Sequence, residues 1–403
     1  MSTRTKRRPG SPTGAEGNEA ATGPRASRAF RAAPLYFGFA ASGVGVALPG
    51  ALLPAMLSRW HLGDEQAGRL FLMAWIGSSL GALLVRGSLR TTLLCGGIAV
   101  GFGATGLGFG AGHGADIWMA LYGLGLGLSM TSISLIRQQQ TNGSGTELVR
   151  LNLLWAVGAF TCPSLTIRAL TTGDLRSVLC GLAVCFFLLA AWTAFQRTLT
   201  TRAAEAEHAK PWTVFRSIPI GLIAMTLLIT GIEASAGGWL ATYARRGGHG
   251  IAETIAAPTC FWAGLLLSRL FWSICYTWVT HDLTVRGSVL LMGAASVVLI
   301  VSGSGQLMLI AAFCMGFGIG PTYPLLLAWA LRFQRSGAIF FLAGVGSACL
   351  PWLTGLVSAQ HHSLRVGLAV PMSATMIMAV LSLVLPLRVW NREEAASDPS
   401  PRI

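Results

Sequence analysis

Charge is scarce in this chain: Asp, Glu, Lys and Arg make up only 11% of its 403 residues. A soluble domain carries about 25%, so a water-soluble globular fold is excluded. The 53% of hydrophobic residues and the mean hydropathy of +0.61 point to the bilayer instead. The eight cysteines include no Cys-x-x-Cys pair and sit almost entirely in apolar runs. They read as small packing residues, not as a metal site or disulfide framework. The seven histidines all fall in or near loops, and the adjacent pair His361 and His362 has no convergent acid or cysteine nearby. No metal ligand set, cofactor motif or catalytic constellation is expected, and so no enzyme. A secretory signal needs an apolar core soon after a basic start, and none precedes Pro34. Residues 1–32, rich in Arg, Gly, Ser, Pro and Ala, are expected to form a disordered basic tail.

What the sequence does have is long apolar runs. Twelve reach the roughly 20 residues that a membrane-crossing helix needs. They lie near 34–57, 67–86, 91–112, 116–137, 149–171, 176–197, 217–243, 253–277, 286–304, 307–331, 336–359 and 366–388. The longest link, 197–217, divides them six and six. The expectation is an all-α membrane protein: a bundle over 33–197, a cytoplasmic loop over 198–215, a second bundle over 216–389 and a tail over 390–403. The net charge of +14 would suggest nucleic acid in a soluble protein. Here, if the N-terminus is cytoplasmic, 21 of the 29 Lys and Arg lie on that side and seven on the other, with Arg269 inside a span. That bias obeys the positive-inside rule. It predicts a multi-pass protein of the plasma (inner) membrane with both termini cytoplasmic, a lipid bilayer around it and no nucleic-acid partner.

The two halves repeat each other. Trp75-x-Gly77-x-x-x-Gly81 in the second span matches Trp262-x-Gly264-x-x-x-Ser268 in the eighth, at an offset of 187. Gly123-x-Gly125-x-Gly127 matches Gly316-x-Gly318-x-Gly320 at an offset of 193, and Gly158 with Pro163 matches Gly346 with Pro351 at 188. Duplicated six-helix halves with a site between them near the bilayer midplane are a transporter architecture. The Gly-x-Gly runs lie inside spans and not between a strand and a helix, which argues against a phosphate-binding loop.

The twelve spans, the duplication and the short central loop resemble the major facilitator superfamily. Within it, the sequence is similar to the fucose permease–like, sugar:proton symporter branch over roughly residues 34–388. "RLNLLWAVGAFTCP" (150–163) resembles that branch's fifth helix and "GIEASAGGWLATYA" (231–244) its seventh. "FWAGLLLSRL" (261–270) and "GFGIGPTYP" (316–324) fit the eighth and tenth. There are departures. The superfamily's loop between spans 2 and 3 carries an acid, a glycine and an arginine where this chain has Val85, Ser88 and Leu89, although Gly81, Arg86 and Arg90 are kept. In fucose permease, acids in the first and fourth helices carry the proton and contact sugar. The matching places here are Gly50 and about Met130, so that coupling scheme does not carry over.

One residue stands out against this background. From Ser217 to Ala244 the only charged side chain is Glu233. An ionised group at the centre of a membrane helix costs roughly 2.5–3.5 kcal/mol on insertion scales, so it should face the bundle interior. Thr226, Thr230, Glu233, Gly237, Ala241 and Ala244 follow helical steps of three and four and form a small, weakly polar stripe suited to a water-filled path. Glu233, with Thr230 and Gly237, is a candidate for proton coupling or substrate binding; the alternative is a structural glutamate bonded to neighbouring helices. Trp75, Trp262, Trp239 and Asn152 are candidates for the substrate cavity, although such residues also fill cores. Arg269, Arg86 and Arg90 are candidate gating or structural charges, and Arg269 should lie nearer the cytoplasm than Glu233, by roughly 10 Å from helix rise. Arg137, Arg150 and Tyr243 are expected to be ordinary interface residues.

The function expected is secondary active transport of a small organic solute by alternating access, coupled to protons. The resemblance implies a monomer. Rivals are an exporter of drugs or secondary metabolites, a proton-independent facilitator and a non-transporting membrane sensor.

Overall fold

The computed structural model describes residues 25–110, 114–141, 145–196, 218–275, 279–333 and 338–387. Among them are fourteen helices and no strand. The first half contains α1 (Arg25–Trp60), α2 (Asp64–Leu83), α3 (Leu89–Phe109), α4 (Ala115–Gln140), α5 (Gly145–Leu165), α6 (Ile167–Thr172) and α7 (Leu175–Phe195). The second contains α8 (Ile220–Arg246), α9 (Ile251–Cys275), α10 (His281–Val301), α11 (Gly305–Phe333), α12 (Ala338–Gln360), α13 (Leu364–Gly367) and α14 (Ala369–Val384). Backbone polar groups have no water to bond in hydrocarbon, so each crossing satisfies its own as helix.

Eleven crossings are long and apolar enough to span a bilayer. The twelfth, α2, is not: Asp64, Glu65 and Arg69 crowd its first two turns. It packs between α4 of its own half and α12 of the other. The fifth crossing breaks after Leu165 into α5 and the short α6, behind Pro163. Proline lacks the N–H that would continue the ladder. The last crossing is broken the same way, α13 ending just before Pro371 in the first turn of α14. At the other end of the chain, α1 begins at Arg25, so helix extends into the tail expected to be disordered. Residues 1–24, 198–215 and 390–403 lie outside the described residues.

The repeated glycines are where helices touch. A Cβ at Gly77 or Gly81 would run into the α4 carbonyls of Ala120 or Leu124, and one at Gly123 or Gly127 into the α2 carbonyls of Ala74 or Ser78. The second half repeats this with Gly264 against Phe313, and Gly316 against Phe261, across α9 and α11. Gly158 meets Ala40 of α1, and Gly346 meets Leu227 of α8 in the same way. Each matched motif thus makes one close backbone approach in each half, which is what small residues provide in membranes. The halves join along α1·α8, α2·α12 and α5·α9. Under the duplication the first of these pairs maps onto itself and the other two exchange.

Gly50 sits at the α1·α8 crossing. A Cβ there would strike the Gly237 carbonyl. The place that resembles an acid position in fucose permease is therefore filled by backbone, and an acidic side chain would force the two helices apart.

Candidate functional site

Where the two halves meet around α8, five side chains from four helices gather. Glu233 comes from α8, Trp262 and Arg269 from α9, Trp155 from α5 and Tyr323 from α11. Glu233 keeps some accessible surface, while Trp155 and Trp262 are buried. Glu233 interacts through space with Arg269, and Tyr323 lies in the field of both. The two opposite charges do not form a contact pair. Among the described residues no hydrogen bond reaches Glu233, and Nε and Nη1 of Arg269 are sealed from solvent with no partner. The guanidinium lies 5.2 Å from the Trp155 ring centroid, a cation–π contact worth about 0.5–2 kcal/mol. Trp155 and Trp262 meet edge to face at 5.8 Å, and Phe261 backs Trp262 at 4.9 Å. The indole Nε1 atoms of Trp155 and Trp262 are also buried without partners.

A second cluster ties the halves at the mouth where α2 begins and α8 ends. Arg246 donates from Nη1 and Nη2 to the two oxygens of Asp64, at 2.6 Å and 2.5 Å, and Ser358 of α12 donates to Asp64 at 2.5 Å. A planar guanidinium fork matches a carboxylate in this way. Asp64 precedes the apolar stretch of α2. Burial opposes its ionisation, but the bonds from Arg246 and Ser358 and the Arg246 charge hold its carboxyl below the usual carboxylate range.

A third cluster lies at the opposite end, inside the first half. Arg137 donates to Glu147 (2.9 Å) and to the Tyr36 hydroxyl (2.6 Å), which donates to Glu147 at 2.6 Å. The Arg137 guanidinium also covers the Tyr36 ring at 4.8 Å, and Arg150 pairs with Glu147 at 3.3 Å. Burial opposes ionisation of Glu147, yet the bonds from Tyr36 and Arg137 and the two arginine charges hold it low. Arg137 and Glu147 are buried and lock α1, α4 and α5 together; Arg137, expected as an ordinary flanking arginine, thus has a structural role, and Glu147 was not singled out from the sequence. The sequence signal was a lone acid, Glu147, between two arginines.

The other sequence candidates divide clearly. Trp262 joins the central cluster; its equivalent Trp75 packs beside Leu53, Phe71 and Trp239 in a separate core. Trp239 is fully buried and donates Nε1 to the Pro351 carbonyl at 3.0 Å, so it is core and not cavity. Thr230 donates to the Ala343 carbonyl at 2.8 Å and is buried. Gly237 makes room for the Trp262 ring. The expected polar stripe is thus a packing face: Thr226, Thr230, Gly237, Ala241 and Ala244 are all buried against neighbours, and only Glu233 among them stays partly open. Asn152 lies on an exposed side of α5, one turn from Trp155. Arg90 bonds the carbonyls of Thr193 and Ala194 at the end of α7, an anchor within one half, and Arg86 is exposed. Tyr243, expected as a belt residue, is half-buried and its hydroxyl donates to the Leu299 carbonyl at 2.9 Å. Among the described residues no group of three His, Cys, Asp or Glu converges to hold a metal.

Neither a protein-family model nor a curated protein matches the sequence. Solved structures do match the fold. It superposes on a peptide transporter of the POT family bound to sulfate with a TM-score of 0.67 and 15% identity, covering 90% of this chain and 95% of that one. A POT family transporter in complex with 5-aminolevulinic acid gives 0.66 and 13%, covering 90% and 96%. The E. coli fucose:proton symporter gives 0.56 and 13%, covering 88% and 98%. The chain has the major facilitator fold. It is a multi-pass membrane protein whose major facilitator bundle is at least as near to the peptide transporters as to the sugar symporter, so the likeness does not single out the fucose permease–like branch.

Proposed function

We propose that this chain is a secondary active transporter that moves a small organic solute by alternating access, with Glu233 as the group that takes up and releases the coupling proton. The observation that carries this reading is the central cluster: an acid in the middle of α8, in the field of Arg269, whose Nε and Nη1 are buried without a partner among the described residues where the halves meet. A charge in that position resists crossing between the two sides, and protonation removes the resistance. The solved relatives in fold include a fucose:proton symporter and peptide transporters, which supports a transport role. The Asp64–Arg246–Ser358 bridge joins the halves at one mouth, as a gate would. By the distribution of Lys and Arg, that mouth faces away from the cytoplasm. The protein works as a monomer in the plasma membrane, with both termini inside.

The test uses solutes that differ between extracts of overproducing and deletion cells, loaded into proteoliposomes. Glu233→Gln should abolish accumulation driven by a proton gradient while leaving exchange of unlabelled for labelled solute intact. Undiminished gradient-driven uptake in that variant discards the role of Glu233. Accumulation unaffected by an uncoupler assigns the chain to the proton-independent facilitators instead.

A further inference from the structure

We propose that the central cluster is a binding site for a small organic carboxylate with an apolar body, its carboxylate received by Arg269 and its body by Trp155 and Trp262. This deepens the transport reading above and rests on it for the direction of movement, but not for the ligand's chemistry.

The cluster holds more hydrogen-bond donors than acceptors. Arg269 Nε and Nη1, Trp155 Nε1 and Trp262 Nε1 are all donors, all buried and all without a partner. They belong to three side chains in mutual contact: the guanidinium over Trp155, and Trp155 against Trp262. The acid in the cluster, Glu233, does not bond them. A buried donor left unbonded is destabilising, more so when charged, and a cluster of such donors is completed by a ligand that brings acceptors. The Arg269 fork favours a planar two-oxygen acceptor, which is a carboxylate. The rings around it, including Phe261, reward an apolar or aromatic body and give nothing to a small hydrated oxyanion such as sulfate.

Charge balance gives the same answer. Arg269 from α9 is the charged group coupled to Glu233, and Tyr323 from α11 lies in the field of both. With Glu233 ionised and Arg269 charged, the empty centre is neutral. A carboxylate entering it leaves a net negative charge unless Glu233 takes a proton; with that proton the loaded centre is neutral again. One proton therefore accompanies each monocarboxylate, and loaded reorientation moves no net charge. Because α5 and α9 belong to opposite halves, the Arg269–Trp155 contact crosses between them. Opening that seam exposes the guanidinium, and a ligand carboxylate replaces the ring as its partner.

The experiment measures binding to the full chain in lipid nanodiscs by calorimetry. The probes are benzoate, phenylacetate and indole-3-acetate, their matched neutral amides, and sodium sulfate. At least one acid should bind, at about tenfold or more the affinity of its amide, as expected for a hydrogen bond to a charged group. Arg269→Gln should erase that preference, Arg269→Lys should keep part of it, and Glu233→Gln should bind the acid while losing the proton uptake that accompanies binding. Arg269→Lys keeps the charge and serves if the glutamine variant does not fold. Equal binding of acids and amides, sulfate binding at par, an acid preference that survives Arg269→Gln, or no binding by any acid overturns the proposal. The two readings fail separately: acid binding without gradient-driven uptake removes the transport reading alone, and proton-driven uptake of a neutral solute with the acids ignored removes the carboxylate alone.

Discussion

Gly50, Gly123 and Gly316 show how much a single missing Cβ decides in this protein. Each lies where the carbonyl of a neighbouring helix occupies the space a side chain would take. Gly50→Ala should therefore destabilise the protein by about 1–3 kcal/mol, the usual cost of overpacking, and lower its midpoint of thermal unfolding in micelles. Gly181, which has nothing within 4 Å of its would-be Cβ, is the control; Gly181→Ala should leave the midpoint unchanged or raise it, since alanine is the better helix former. An unaltered midpoint in Gly50→Ala would mean that α1 and α8 do not cross in backbone contact. Glu233 was legible as the unusual residue from its isolation alone. Its relation to Arg269 was not, because 36 positions and a turn between two helices separate them in the chain. Tryptophans are worse still for a linear reading. Trp262 and Trp239 are alike in sequence context, yet one lines the central cluster and the other bonds Pro351 in a sealed core.

At the scale of elements, α2 is the informative helix. Its first turn carries Asp64, held by Arg246 from α8 and Ser358 from α12. The folded pKa of Asp64 is depressed, so the bridge is complete above the ordinary carboxylate range and is lost only as pH falls through that lowered value. Spin labels at His61 and His361, both exposed near this mouth, should report a short distance at neutral and mildly acid pH. The distance should lengthen under stronger acid, and Asp64→Asn should lengthen it at every pH. A distance indifferent to both changes would remove the bridge as a gate. The helix itself was legible from its apolar run, but its polar first turn reads as a solvated end until α8 and α12 are packed against it.

For the whole molecule, the contact pattern predicts what must part. The halves meet along α1·α8, α2·α12 and α5·α9, and alternating access requires opening at one mouth and then the other. Tethering Asp64→Cys to Ser358→Cys with a short bis-maleimide, in a background without the native cysteines, should stop transport in proteoliposomes. Either single variant treated with the same reagent should still transport. Full transport by the tethered protein would show that this mouth stays shut throughout the cycle.

Hydropathy, the glycine matches and the lone glutamate sufficed to read a membrane-embedded, duplicated helical bundle with one unusual acid, because these follow from local composition and from period along one chain. Partnership needed the folded molecule. That Arg137 and Glu147 lock three helices, that the stripe around Glu233 is packed against neighbours, and that the Arg269 guanidinium lies over the Trp155 ring all depend on which helix faces meet. Helix faces are chosen by packing over the entire bundle, and no window of residues along the chain contains that information.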